Sequence, residues 1–132
     1  MKYIVPFARL LFVAIFLASG FHHFDAQTIA YAASKGVPMA TVTVPLSGVI
    51  ALLGGISILL GFRARAGAWL LVLFLIPVTL MMHNFWTITD PMIRQMQMAM
   101  FNKNLSMLGG ALLIAYFRAG PFSFDAKQME LK

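Results

Sequence analysis

The sequence predicts an all-α integral membrane protein, a four-helix bundle built as two hairpin repeats in parallel orientation. Three observations carry that expectation. The 132 residues are 61% hydrophobic and only 11% charged, whereas a soluble domain carries about 25% charged residues. The apolar residues gather into four runs, at 5–24, 41–62, 67–86 and 99–117. Each matches the roughly 20 helical residues that cross a hydrocarbon core. Backbone polar groups in lipid must be satisfied within the segment, so such runs are helices. The length allows one transmembrane domain over 1–132.

The first run follows Lys2. It also has the parts of a secretory signal, an apolar stretch and a small-residue Ala18-Ser19-Gly20, and is read here as a retained span. The second and third runs contain Pro45 and Pro77, which membrane helices tolerate with a kink. Between them Arg63-Ala64-Arg65 reads as a tight turn. Two longer connections, 25–40 and 87–98, lie on the other side. The first suits a short interfacial helix. In the second, Asp90-Pro91 has the form of a helix start with Pro in the first turn, giving a surface helix that runs into the fourth span.

Orientation follows the bias of Lys and Arg toward the cytoplasm. Lys2, Arg9, Arg63, Arg65, Arg118, Lys127 and Lys132 fall on one side, and Lys35, Arg94 and Lys103 on the other. Both termini are therefore expected in the cytoplasm of a bacterial-type inner membrane, with the histidines on the periplasmic side. The net charge of +6 is spread over segment ends. That suits topology and anionic headgroups and excludes a nucleic-acid partner. The absence of cysteine excludes disulfides, iron–sulfur clusters and thiolate metal sites.

A repeat links the halves. Leu53-Gly54-Gly55 through Phe62-Arg63 matches Leu108-Gly109-Gly110 through Phe117-Arg118, and His22 matches His83. The glycine pairs are expected at close helix contacts. The periplasmic half collects His22, His23, His83, Asn84, Lys103 and Asn104, while Arg9, Ser47 and Ser57 are placed in the other half. Polar groups near hydrocarbon are costly and mark function. His22 and His23 point about 100° apart on a helix, so one faces the bundle and the other the interface. Lys103 is expected to snorkel, or to pair with Asp25, Asp90 or an anionic ligand. Arg9 reads as an anchor, or as an inward ion pair.

These elements together resemble the DoxX family of small four-helix membrane proteins. The resemblance rests on Arg9-Leu10 leading to Ser19-Gly20-Phe21 and a His, Leu53-Gly54-Gly55 leading to Gly61-Phe62-Arg63, His83-Asn84-Phe85-Trp86, Phe101 to Leu105 leading to Gly109-Gly110, and Gly120-Pro121 before Phe122-Ser123-Phe124-Asp125. It covers nearly the whole chain. It implies a place beside membrane oxidoreductases, because the related DoxD proteins belong to a thiosulfate:quinone oxidoreductase. The expected cofactor is a quinone. His23 and His83 would exchange protons with it or bond its carbonyl, and Lys103 would stabilise negative charge. Asn84 and Asn104 would orient the ring, Phe85 and Trp86 would stack on it, and His22 would contribute to binding. Two alternatives stand beside this reading. One is a structural or assembly subunit, in a homo-oligomer or a larger membrane complex. The other is a haem held by two imidazoles, or copper held by imidazoles and the periplasmic methionines.

Overall fold

The computed structural model describes residues 1–131 and is all-helical among them. The elements are α1 (Ile4–His22), α2 (Ala26–Ser34), α3 (Ala40–Leu60), α4 (Ala64–Met82), a single 3₁₀ turn (Phe85–Thr87), α5 (Pro91–Phe117) and α6 (Phe124–Glu130). The four long helices lie side by side, α3 against α1 and α4, and α4 against α5. Three stretches are long and apolar enough to cross a membrane, Ile4–His22, Ala40–Leu60 and Ala64–Thr87. The fourth predicted span belongs to α5, whose Asn102-Lys103-Asn104 lowers its hydropathy.

Each helix buries the stripe its sequence provides. On α1 the buried residues are Arg9, Val13, Phe16 and Gly20, spaced as one helical face. Val13 and Phe16 join Ala51, Ile58, Ala68, Leu71, Leu75, Ala111 and Ala115 in one core. Glycine sets the closest approaches. A Cβ at Gly48 would lie 2.7 Å from His23 Cβ and 2.8 Å from the Gly20 carbonyl. One at Gly54 would lie 2.9 Å from the Gly67 carbonyl. The α1–α3 and α3–α4 pairs thus meet backbone to backbone, as small residues permit in membranes. The second glycine pair behaves differently. Gly110 receives the Phe12 ring, but a Cβ at Gly109 would meet nothing within 4 Å.

Several boundaries depart from expectation. The α3–α4 turn is Gly61–Arg63 and not Arg63–Arg65, because Gly61 and Arg63 take positive φ (65° and 49°) and Ala64 already starts α4. Helix α4 ends at Met82, four residues before the predicted end of the third run. In the connection 87–98 the expected helix from Asp90-Pro91 into the fourth span is present: α5 runs unbroken for 27 residues from Pro91. Its start is capped by Asp90, whose carboxylate accepts from Ile93 N at 2.9 Å. The expected interfacial helix in 25–40 is α2, which packs on α3 through Ala32, Ala40 and Val44. Helices α3 and α4 continue through Pro45 and Pro77.

Candidate functional site

The two ends of the helix array differ. At one end α1 finishes, α3 begins, α4 finishes and α5 begins, and a cavity of about 570 Å³ opens among them. Its walls are apolar, with Ile15, Phe16, Ile50, Leu73, Phe74 and Val78 among them, and Thr28, Ala32, Val37 and Pro38 of the α2 region also line it. Four of the predicted site residues, His23, His83, Lys103 and Asn104, line this one space. A largely apolar pocket of this size with a few convergent polar groups is the usual form of a small-molecule site.

The hydrogen bonds fix what each group offers. His23 follows the last residue of α1. Its Nδ1 lies 2.8 Å from Ser47 Oγ and 3.3 Å from the Val44 carbonyl. Ser47 Oγ donates to that same carbonyl at 2.7 Å. A carbonyl accepts only, and the serine hydrogen is committed, so the proton sits on His23 Nδ1. The neutral ring then presents Nε2 as an acceptor. The same logic holds across the cavity. His83 Nδ1 lies 2.8 Å from Gln97 Oε1, so in this amide orientation it donates and leaves Nε2 as the acceptor. Asn104 is buried, at 4% exposure, and its amide has no hydrogen bond among the described residues. Lys103 is more open, its ammonium 3.5 Å from Met100 Sδ. The cavity therefore holds two imidazole acceptors, one ammonium donor and one amide that can do either.

Other expected residues lie elsewhere. His22 points outward and its Nδ1 meets Asp25 Oδ2 at 3.0 Å, both side chains well exposed. Asn84, Phe85 and Trp86 are not on the cavity wall, because the chain leaves α4 at Met82 and turns away. Phe85 and Trp86 stack edge-to-face with each other and with Phe101 instead, at 5.4–5.9 Å. Lys103 does not pair with an aspartate: Asp25 is taken by His22, and Asp90 caps α5. No group of three or more His, Cys, Asp or Glu side chains suited to a metal ion exists among the described residues.

Two partners of the site were not singled out by sequence. Ser47, assigned to the opposite half, stands at the cavity beside His23. Gln97 holds His83. A signal for Gln97 existed, since the buried residues of α5 are Gln97, Asn104, Ala111 and Ala115. Their spacing of seven, seven and four is one helical face.

The opposite end is closed by the C-terminal segment. Asp125, in the first turn of α6, accepts from Arg63 N at 2.8 Å and from Ala64 N at 2.9 Å, and its own N–H donates to the Gly61 carbonyl at 2.8 Å. It thereby caps α4 from a distant part of the chain. Beneath it Arg9 is buried at 5% exposure, and its Nη2 donates to the Phe122 carbonyl at 2.6 Å. Arg9 is thus neither an exposed anchor nor half of a close ion pair. Its Nε and Nη1 have no hydrogen-bond partner.

Comparison with known proteins adds three findings. The DoxX family model matches residues 4–84. The chain is 32% identical to "Inner membrane protein YphA" of Escherichia coli (strain K12) over 123 residues, 91% of this chain and 86% of that protein. It is 30% identical to "Inner membrane protein YqjF" of the same organism over 120 residues, 89% of this chain and 86% of that protein. No solved structure matches at a significant level.

Proposed function

This chain belongs to the DoxX family, and from that premise we propose that it is a quinol-binding protein of the inner membrane that works beside a membrane oxidoreductase. The observation that carries the reading is the meeting of His23, His83, Lys103 and Asn104 in one apolar cavity of about 570 Å³. The groups present fit a quinone-type ring. Its body suits the apolar walls, and its two oxygens need the kinds of partner that the cavity provides.

When bound, a quinone supplies two-electron, two-proton redox chemistry. The protein's own contribution is to place the ring and to take up protons from it. The Nδ1 protons of His23 and His83 are engaged by Ser47 and Val44 and by Gln97, so both Nε2 atoms accept a hydrogen bond or a proton from a hydroxyl. This refines the expectation that they bond a carbonyl: a neutral ring in this tautomer has no donor at Nε2. The carbonyl partners are the Lys103 ammonium and the Asn104 amide. His22, Asn84, Phe85 and Trp86 take no part in this site. The electron acceptor or donor belongs to a partner subunit.

The same proposal carries the membrane placement. Helix α5 is the fourth span, packed along α4 and joined to the core through Ala111 and Ala115. The positive-inside bias puts both termini in the cytoplasm and the cavity on the periplasmic side. The two hairpins, α1–α3 and α4–α5, are parallel repeats. In support, each holds a histidine at the end of its first helix against a polar side chain of its second, His23 with Ser47 and His83 with Gln97.

The test is to purify the protein in mild detergent and measure retained quinone, with binding of added quinol to wild type and to H23A and H83A. Retained or stoichiometric binding, weakened in both variants, supports the proposal. Quinol binding that is absent in wild type, or unchanged in both variants, overturns it.

A further inference from the structure

Three guanidinium groups meet at the end away from the histidines. Arg63 comes from the α3–α4 turn, Arg65 from the first turn of α4, and Arg118 from the residue that closes α5. With Trp69, Asp125 and Gln128 they line a cleft of about 520 Å³. Asp125 does not neutralise them. Both its oxygens accept from backbone N–H groups, and no ion pair joins it to any of the three arginines among the described residues. Three positive charges therefore share the cleft with one committed negative charge.

Two of the three are held on costly backbone. Arg63 has φ 49° and Arg118 has φ 65°, a region that residues with a Cβ seldom occupy. Arg63 is also steadied over the Phe62 ring, at 5.8 Å. The arginines are thus brought together by the fold and not by attraction among themselves. The cleft carries an excess of positive charge, and the guanidinium fork matches phosphate oxygens.

Its position says which phosphate. The cleft lies where α3 ends and α4 begins, at the limit of two membrane-length helices. From it an exposed apolar stripe, Trp69, Leu73, Ile76 and Leu80, runs along α4, one helical face suited to acyl chains. We propose that Arg63, Arg65 and Arg118 form a binding site for the phosphate of an anionic phospholipid headgroup, with its chains lying along this stripe. The arginine cleft shares no residue with the histidine cavity, and the stripe touches that cavity only through Leu73.

The test uses the full-length protein in mild detergent. Thermal unfolding is followed with phosphatidylglycerol, phosphatidylcholine or inorganic phosphate added at equal concentration. A ligand that binds only the folded state raises Tm. Phosphatidylglycerol should raise Tm by several degrees, and the other two should not. The double variant R65Q/R118Q should lose at least half of that increment while keeping the wild-type Tm in phosphatidylcholine. Native mass spectrometry of the wild type should show phosphatidylglycerol adducts outlasting phosphatidylcholine adducts, a readout that needs no variant to fold. Equal increments from the two lipids, or an increment that survives in R65Q/R118Q, overturn the proposal. An increment from inorganic phosphate that matches the lipid's and vanishes in R65Q/R118Q overturns the lipid assignment and leaves a site for soluble phosphate.

Discussion

The histidine end and the arginine end use polar residues in opposite ways. At the histidine end, two imidazoles on a cavity wall are each held through Nδ1 alone. At the arginine end, Asp125 spends both oxygens and its own N–H on the backbone of the Gly61–Ala64 turn, and Arg9 is sealed beneath. The histidine end keeps hydrogen-bonding capacity for a cavity, whereas Asp125 commits its own to holding the chain together. Buried polar groups are costly unless satisfied. Asp125 is fully engaged and serves architecture, whereas the cavity groups keep bonding capacity that fits a ligand; Arg9, bonded through Nη2 alone, bears the cost of incomplete satisfaction at the closed end.

That contrast can be broken by mutation. The largest effect is expected at Gly61. Its φ of 65° and its contact with Ser123 and Arg9 leave no room for a methyl group, so Gly61→Ala should cost about 2–5 kcal/mol from strain and overpacking together. Thermal unfolding and protease release of the C-terminal segment should both report it, with the segment freed first. Next comes Asp125→Ala, which removes two charge-assisted bonds and should cost about 2–4 kcal/mol, while quinol affinity in the folded fraction stays unchanged. A loss of affinity equal to the loss of stability would show that the ends are coupled.

The histidine variants should do the reverse. His23→Ala and His83→Ala each remove one ligand contact worth about 1 kcal/mol, roughly a fivefold loss of quinol affinity, with a change in Tm smaller than that of Asp125→Ala. A large stability loss without an affinity change would make the cavity histidines architectural. The smallest effect belongs to Gly109. Its surroundings are open, so Gly109→Ala should stabilise by roughly 0.5–1 kcal/mol through helix propensity alone. A destabilisation there would place a protein surface against this face of α5.

The sequence made the histidine end largely legible, because its chemistry is carried by side chains. Histidines, asparagines and a lysine at the ends of apolar runs are visible without coordinates, and helical spacing correctly separated His22 from His23. It overreached at Phe85 and Trp86, since the early end of α4 is set by backbone at His83 and not by hydropathy. The arginine end was poorly legible for a physical reason. Asp125 bonds to backbone N–H groups about 60 residues earlier, and main-chain donors have no residue identity to read. Arg9 near the start of a span looks like an interfacial anchor until the segment that buries it is known. The glycine repeat misled in part: Gly54 and Gly110 sit under neighbouring helices, but the match of Gly109 to Gly54 extends to sequence and not to packing.

The cap on α4 also orders the events of synthesis. Asp125 follows Arg63 by 62 positions, which at ribosomal rates is about 3–12 s of elongation. When that interval begins α3 is complete, and α4 is made within its first third, yet the first turn of α4 has its N–H groups unclaimed by any carboxylate of the tail until the interval ends. Membrane insertion of the hairpin must proceed without this lock, and the lock closes only when the tail arrives.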